Sequence, residues 1–193
     1  MEWISDLKEK FSRRRIRSLD RTKEFSRDFV DIDSAKYIGM IVNVDAMGSG
    51  EEAIIKEYLA VLKKRNKKTL IIELSYNKKS EPTWNEAGDA FVFINPTKLN
   101  WLDYPTPAIE TQIRQHELDI LIDLDLTPRM TSKYVCSMAK ARTRTGLHQE
   151  GLESCYELMI NKSGDNDLKS LLRTFDYFLN MIDNGQKARV KAS

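Results

Sequence analysis

Two aspartates near the end of an apolar run are the residues best spaced for chemistry in this sequence. Asp123 and Asp125 are two positions apart in residues 118–126, so in a strand their side chains point to the same side. In a parallel sheet they would lie near the carboxyl edge, where ligands bind in this architecture. Two carboxylates there could hold a metal or act as a base. Asp45 and Arg129 are the neighbouring candidates for binding a small molecule.

A structural role for these acids is the alternative, and the sequence favours it. Asp125 or Thr127 could cap a following helix, with Pro128 at its start. No nearby histidine or third acid completes a metal site. We therefore expect no metal and no cofactor, and we assign no catalytic residue.

A glycine-containing turn follows the first predicted strand at residues 48–50. Such turns often hold a phosphate against a helix N-terminus. This one lacks both the GxGxxG spacing and the GK[ST] ending. Glu51 and Glu52 occupy the first helical turn, where they would repel an anion. The pattern therefore indicates a flexible turn and a helix cap.

A basic region without a single acid covers residues 126–149, in a chain whose net charge is +2. Its charged members are Arg129, Lys133, Lys140, Arg142 and Arg144, with His148 beside them. Such a region could face phosphate, nucleic acid or an acidic protein. The alternative is a solvated face whose cations pair with acids elsewhere in the fold.

Residues 1–19 predict an amphipathic helix. Its apolar stripe is Trp3, Ile4, Leu7 and Phe11. Its cations are Lys8, Lys10, Arg13, Arg14, Arg15 and Arg17, with only Glu9 opposing them between the first and the last. The helix could dock on its own domain, lie on an anionic membrane surface, or contact RNA phosphates. Docking or partner binding is the favoured interpretation, and a basic tail at residues 185–193 adds further cations.

The residues that several other chemistries need are scarce. The two cysteines, Cys136 and Cys155, are too far apart for a CxxC unit, and two histidines are too few for a zinc site. We expect buried thiols in a reducing compartment. There is no GxSxG elbow, no apolar run near the ~20 residues of a membrane span, and no secretory-signal pattern. A cytoplasmic protein is expected.

Strand and helix patterns alternate along most of the chain. The strand-like runs are residues 37–44, 69–75, 90–94, 118–126, 142–146 and 156–160; the helical patterns after the first are residues 51–65, 105–116, 127–140 and 165–182. This order predicts one Rossmann-like α/β domain, with a mainly parallel sheet and helices on both faces. The expected division is residues 1–34 for the basic helix and linker, 35–184 for the domain and 185–193 for the tail. Loop residues Trp84 and Trp101 are expected to cover the core.

Several segments together resemble a family of short bacterial proteins of unknown function that is common in the Bacteroidetes lineage. They are residues 118–124, 137–142 and 156–160, with Gly146 and the loop 99–101. That resemblance implies no activity and no catalytic residue. The run from Asp119 through Arg142 to Gly146 is also similar to the N-terminal half of heptosyltransferase-type glycosyltransferases. It implies the fold alone, because fewer than 50 residues follow Gly146, too few for a nucleotide-sugar domain.

These patterns predict a non-enzymatic α/β module that binds an anionic or protein partner through residues 8–17 and 129–144. RNA and an anionic membrane surface are among the partners that the basic helix would suit. The alternative is a nucleotide or sugar-phosphate binder, or a glycosyltransferase-like enzyme, at the carboxyl edge of the sheet. A peripheral membrane protein is the third interpretation.

Overall fold

The computed structural model describes residues 2–21, 28–48, 50–127, 129–161 and 167–190. For residues 2–7, 9, 20–21 and 182–190 the backbone alone is described. The strands are β1 (Tyr37–Asn43), β2 (Lys68–Leu74), β3 (Ala90–Ile94), β4 (Glu117–Asp123), β5 (Lys140–Leu147) and β6 (Leu158–Ile160). The helices are α1 (Glu2–Arg21), α2 (Glu51–Lys64), α3 (Pro107–Arg114), α4 (Met130–Met138) and α5 (Leu168–Val190).

All six strands form one parallel sheet in the order β3-β2-β1-β4-β5-β6. The chain adds β2 and β3 on one side of β1, then crosses over and adds β4, β5 and β6 on the other. The strand order therefore reverses between β1 and β4, and such a switch point is where ligands bind in this architecture. The predicted Rossmann-like fold is confirmed.

Helices cover both faces of the sheet with their apolar sides. Ile41 and Leu121 point to the face covered by α1, α3 and α4. Met40 and Ile122 point to the opposite face, which α2 and α5 cover. Because alternate side chains of the central strands enter two cores, their sequences are nearly continuous apolar runs.

Several predicted boundaries differ from the structure by two residues or more. β4 ends at Asp123 rather than residue 126, because Asp125 there turns its side chain to Asn43 instead of continuing the ladder. α4 begins at Met130, β6 is only Leu158–Ile160, and α5 continues through Gly185. The caps predicted at residues 165 and 166 lie outside the described residues.

Helix α1 packs on the domain through a face that its sequence did not suggest. Ile16 is fully buried in the same core as Ile41, and Ser12 is buried nearby. Phe11, by contrast, is 48% exposed. The other members of the predicted stripe, Trp3, Ile4 and Leu7, fall among the residues whose side chains are not described. No helix in the described part of the chain is long and apolar enough to cross a membrane.

The two loop tryptophans behave differently. Trp84 is 2% exposed and belongs to the core under α2 and α5, so its predicted role as a cover is confirmed. The buried Glu73 carboxylate anchors that loop by accepting the backbone N–H of Trp84 at 3.0 Å. Trp101 is 68% exposed and covers no core, so the prediction is wrong for this residue.

Candidate ligand site at the carboxyl edge of the sheet

Polar side chains gather where the two central strands end. Asn43 is the last residue of β1 and Asp123 is the last residue of β4. Asn43 donates through Nδ2 to Oδ1 of Asp125 at 2.9 Å, and the backbone N–H of Asp125 donates to Oδ1 of Asp123 at 2.9 Å. Both carboxylates are buried. A closed polar network therefore lies at the switch point, rather than an open pair of acids.

Asp125 holds the turn that follows β4. Its Oδ1 accepts the backbone N–H of Thr127 at 3.1 Å and the Thr127 hydroxyl at 2.7 Å. Helix α4 starts later, after Arg129, and has no side-chain cap. The prediction that Asp125 or Thr127 caps this helix is therefore wrong, and Asp125 binds the backbone of the preceding turn instead.

Asp123 binds a lysine from α4 inside the protein. Lys133 Nζ donates to Oδ2 of Asp123 at 2.8 Å, and the Tyr156 hydroxyl donates to the same oxygen at 2.5 Å. Burial lowers the pKa of Lys133, but the Asp123 carboxylate outweighs it, and the net pKa lies above its ordinary value. Lys133 therefore stays a cation at neutral pH, which does not suit an amine nucleophile.

Tyr76 connects the remaining candidates. Asp45 accepts the backbone N–H of Tyr76 and, at 3.0 Å, the Ser75 hydroxyl. The Tyr76 hydroxyl reaches Oδ2 of Asp125 at 3.4 Å, and the Arg129 guanidinium carbon lies 3.8 Å from the centre of its ring. Burial and the Asp125 carboxylate raise the pKa of Tyr76, which therefore stays protonated.

A cavity of about 410 Å³ opens beside this cluster. Its walls come from α1, from the loops that follow β2, β3 and β4, and from the start of α4. The lining residues are Lys8, Ser12, Tyr76, Pro96, Leu99, Asn100, Leu102, Asp103, Arg129, Met130 and Thr131. The cavity therefore lies at the ligand-binding edge of the fold, with cations from two separate elements on its wall.

The start of α4 adds to the positive potential of the cavity. The first turn of α4 contains no acidic residue, and Arg129 precedes it without capping it through its side chain. The first N–H groups of a helix have no partner within the helix and carry the positive end of its dipole. Met130 and Thr131, in that turn, line the cavity.

Residues 8–182 match the sequence model of a family described as a family of unknown function, DUF6913. This chain belongs to DUF6913. The predicted resemblance to a family of unknown function is thereby confirmed. A search of the curated proteins gives no match.

One solved structure resembles the DUF6913 chain weakly. It is described as the crystal structure of the glycosyl transferase family 9 from Veillonella parvula DSM 2008. The two are 14% identical with a TM-score of 0.49, over 78% of this chain and 42% of that one. The chain thus spans less than half of that structure, and the likeness carries no functional argument.

The basic region of the DUF6913 chain does not form the exposed surface expected for residues 129–144. Lys133 and Arg144 are 2% and 3% exposed, so the expectation that they meet a partner is wrong. Arg144 donates to the Cys136 carbonyl at 3.0 Å and pairs with the Glu157 carboxylate at 3.4 Å, so its buried charge is balanced. Arg142 bridges Asp28 and Asp119, and Lys140 pairs with Glu117 at 3.4 Å.

Metal and thiol chemistry find no support in the part of the chain that the structure describes. No group of three His, Cys, Asp or Glu side chains there is placed to hold a metal ion. Cys136 and Cys155 are both buried thiols. Burial raises the pKa of Cys136 well above its ordinary value, so it is not a thiolate.

A second, smaller cavity of about 160 Å³ lies at the ends of β4 and β5. Asp125, Thr127, Lys133 and His148 are among its lining residues. Binding sites for small molecules generally measure roughly 300–1,000 Å³. This cavity is smaller than that range, whereas the one beside Arg129 falls within it.

Three residues that build the site were not predicted from the sequence. Asn43 and Tyr76 each stand at or just after the end of a central strand, and that position was the available signal. Tyr156 reaches Asp123 from a loop 33 residues away along the chain, and no sequence pattern pointed to it. The structure brings Asp45, Asp125 and Arg129 together around Tyr76.

Proposed function

We propose that this protein binds a small anionic ligand, bearing a phosphate or carboxylate, in the cavity beside Arg129. The observation that carries the proposal is the presence of Lys8 and Arg129 on the wall of one cavity at the carboxyl edge of the sheet. Anionic ligands of this fold class bind at that edge, against helix N-termini.

Lys8 is available to a ligand because its present partner holds it weakly. Its ammonium lies 3.5 Å from Asp103, and the two side chains are 34% and 58% exposed. Exposed pairs of this kind contribute about 0–1 kcal/mol, since water screens them and both side chains lose freedom. A phosphate or carboxylate in the cavity would compete readily for that ammonium.

Arg129 is held in a geometry that suits an anion. Its guanidinium stacks on the Tyr76 ring, and Tyr76 is in turn held by its contact with Asp125. A guanidinium stacked by its face keeps its N–H groups, which lie in its plane, free to donate to two oxygens at once. The buried acids thus serve to position Arg129 through Tyr76.

The same contacts favour binding over catalysis. Asp123 is committed to Lys133 and Tyr156, and Asp125 to Asn43 and Thr127. A general base needs an oxygen within hydrogen-bond reach of a bound substrate. Tyr76 and Arg129 stand on the cavity wall, whereas neither Asp123 nor Asp125 lines it; Asp103, which does, is paired with Lys8.

The test is ligand-induced stabilisation followed by calorimetric titration. Inorganic phosphate, pyrophosphate, citrate and nucleoside diphosphates are the probes. A probe at 100 times its Kd stabilises the folded state by about 2.7 kcal/mol, which raises Tm by roughly 5–10 °C for a chain of this size. We expect at least one of these anions to give such a shift.

The variant Arg129→Gln should raise the Kd of that anion about tenfold or more, because a charge-assisted hydrogen bond contributes about 1.5–3 kcal/mol. Lys10→Gln is the matched control, since Lys10 is exposed on α1 and does not line the cavity. Absence of any shift with all probes, or equal losses in both variants, would refute the proposal.

A further inference from the structure

We propose that the outer face of α1 binds the surface of an anionic membrane, with the helix lying parallel to it. The side of α1 that faces away from the domain is separate from the ligand cavity. The residues of α1 that pack on the domain are different from those of the apolar stripe in its sequence.

The face that packs on the domain is short and specific. Ile16 and Ser12 are buried, and Leu19 packs against the same core. Two arginines fasten this side: Arg13 donates to the Glu150 carbonyl at 2.7 Å, and Arg17 donates to the Gly151 carbonyl at 3.3 Å. The domain therefore uses a different set of residues from the stripe that contains Phe11.

The outer face combines an exposed aromatic ring with cations. Phe11 is 48% exposed, and Lys10 and Arg14 beside it are exposed as well, whereas the Arg15 side chain turns back to hydrogen-bond Tyr134 of the domain. On a helix, residues three and four apart are neighbours, so Arg14 lies beside Phe11 on the surface. A single exposed phenylalanine is common on protein surfaces. An exposed phenylalanine bordered by cations, by contrast, suits a partner that is both apolar and anionic.

The sequence extends that pattern toward the helix start. Trp3, Ile4, Leu7 and Phe11 share helical spacing, and the exposed cations Lys10 and Arg14 border this stripe. An apolar stripe bordered by Lys and Arg is typical of helices that lie in the membrane interface. The cations are drawn to anionic headgroups while the apolar side chains enter the acyl boundary.

Charge and apolarity together select a membrane over a nucleic acid. Contact with RNA phosphates requires cations and gains little from an apolar stripe. A lipid surface uses both at once, because it presents negative charge above hydrocarbon. The occupant of this face is therefore an anionic bilayer. The test must distinguish binding to such a bilayer from binding to RNA.

The experiment is co-sedimentation of the full chain with vesicles of neutral phosphatidylcholine, or of phosphatidylcholine mixed with phosphatidylglycerol. We expect binding to the mixed vesicles only. Lys10→Gln with Arg14→Gln should weaken it about thirtyfold, at the usual contribution of a cation near an anionic surface. Lys63→Gln with Lys64→Gln is the matched control, since these exposed lysines end α2 and should leave binding unchanged.

The aromatic contribution has its own control pair. Phe11→Ala should weaken vesicle binding about tenfold, since a phenylalanine ring that enters the acyl boundary leaves water. Phe29→Ala removes a ring that is 43% exposed outside the helix and should change nothing. Both positions are exposed, so both variants should keep the circular dichroism spectrum of the parent.

Three results would overturn the inference: equal binding to neutral and mixed vesicles, equal effects of Phe11→Ala and Phe29→Ala, or binding to a labelled RNA oligonucleotide with none to vesicles. The ligand cavity is tested separately. Arg129→Gln should leave vesicle binding unchanged, so failure of one proposal does not imply failure of the other.

Discussion

The ion pair between Lys133 and Asp123 determines whether the Asp123 carboxylate at the switch point can bind a metal ion. Both side chains are almost fully buried, and their charged atoms are 2.8 Å apart. The lysine ammonium occupies the space beside the carboxylate where a bound cation would otherwise balance its charge. A carboxylate that looks like a metal ligand in the sequence is therefore already neutralised by the chain itself.

Lys133→Met should destabilise the protein by about 3–5 kcal/mol, because it leaves the buried Asp123 carboxylate without its partner. Urea unfolding followed by circular dichroism measures the loss. The double variant Lys133→Met with Asp123→Asn should recover part of it, since no net charge then remains buried at that position. A double variant less stable than Lys133→Met would contradict this account.

The tyrosines give the protein a predictable sensitivity to alkali. Six of the seven tyrosines have a pKa raised above the ordinary 10.0, with burial as the largest cause in each. For Tyr134, burial and Glu110 raise the pKa to about 12. The unfolded chain therefore loses these protons at lower pH than the folded protein does.

The stability that these phenols contribute is fully present below pH 10.0 and is lost as the pH rises through and above that value. We expect the urea midpoint to fall as the pH rises from about 10 to about 12, with phenolate absorbance rising together with unfolding. A midpoint that stays constant over this range, or phenolate absorbance that rises fully while the fold persists, would contradict the burial of these hydroxyls.

Among the elements, α1 depends on a short loop for its position. Gly151 has φ +78, and a Cβ built there would lie 2.6 Å from Nη1 of Arg13. The same Arg13 atom donates to the Glu150 carbonyl. A side chain at this glycine would therefore displace the arginine that fastens α1 to the domain.

Gly151→Ala should speed tryptic cleavage within α1 about tenfold, since losing a charged hydrogen bond costs about 1.5–3 kcal/mol. Gly50→Ala is the control. Gly50 has φ +98, and a Cβ added there would meet no atom within 4 Å. The Gly50→Ala variant therefore shows the effect of backbone strain without any side-chain clash. Equal cleavage rates in the two variants would show that Arg13 does not hold the helix.

At the scale of the whole molecule, the packing of α1 and the proposed ligand cavity are linked. Lys8 and Ser12 line the cavity, while Ile16 and Arg13 hold the helix on the domain. A ligand that contacts α1 in its packed position must strengthen that packing, and by the same free energy the packing must strengthen ligand binding.

Ile16→Ala should therefore weaken, several-fold, binding of the anion that stabilises the parent protein, although Ile16 does not line the cavity. The measurement is calorimetric titration. Conversely, saturating anion should slow tryptic cleavage of α1 in the parent protein. An unchanged Kd for Ile16→Ala, together with unchanged cleavage, would show that the two are independent.

The sequence by itself determined the layered fold. The apolar runs around Ile41 and Leu121, set between helical patterns, predict central strands of a parallel sheet, and their alternate side chains do enter two cores. The helical periodicity of α2, with its apolar face and its final lysines, likewise needs no tertiary information. These features are local, so they can be predicted residue by residue.

Only the tertiary structure decided which charges face solvent. Lys133, Arg144 and Asp123 look like surface residues by type, but each has a partner from another element that makes burial tolerable. The cavity similarly draws on α1, three loops and α4, which are brought together by the crossover between β3 and β4. Ion pairing of buried charges and formation of the cavity depend on contacts between residues distant along the chain. Composition and periodicity do not predict such contacts.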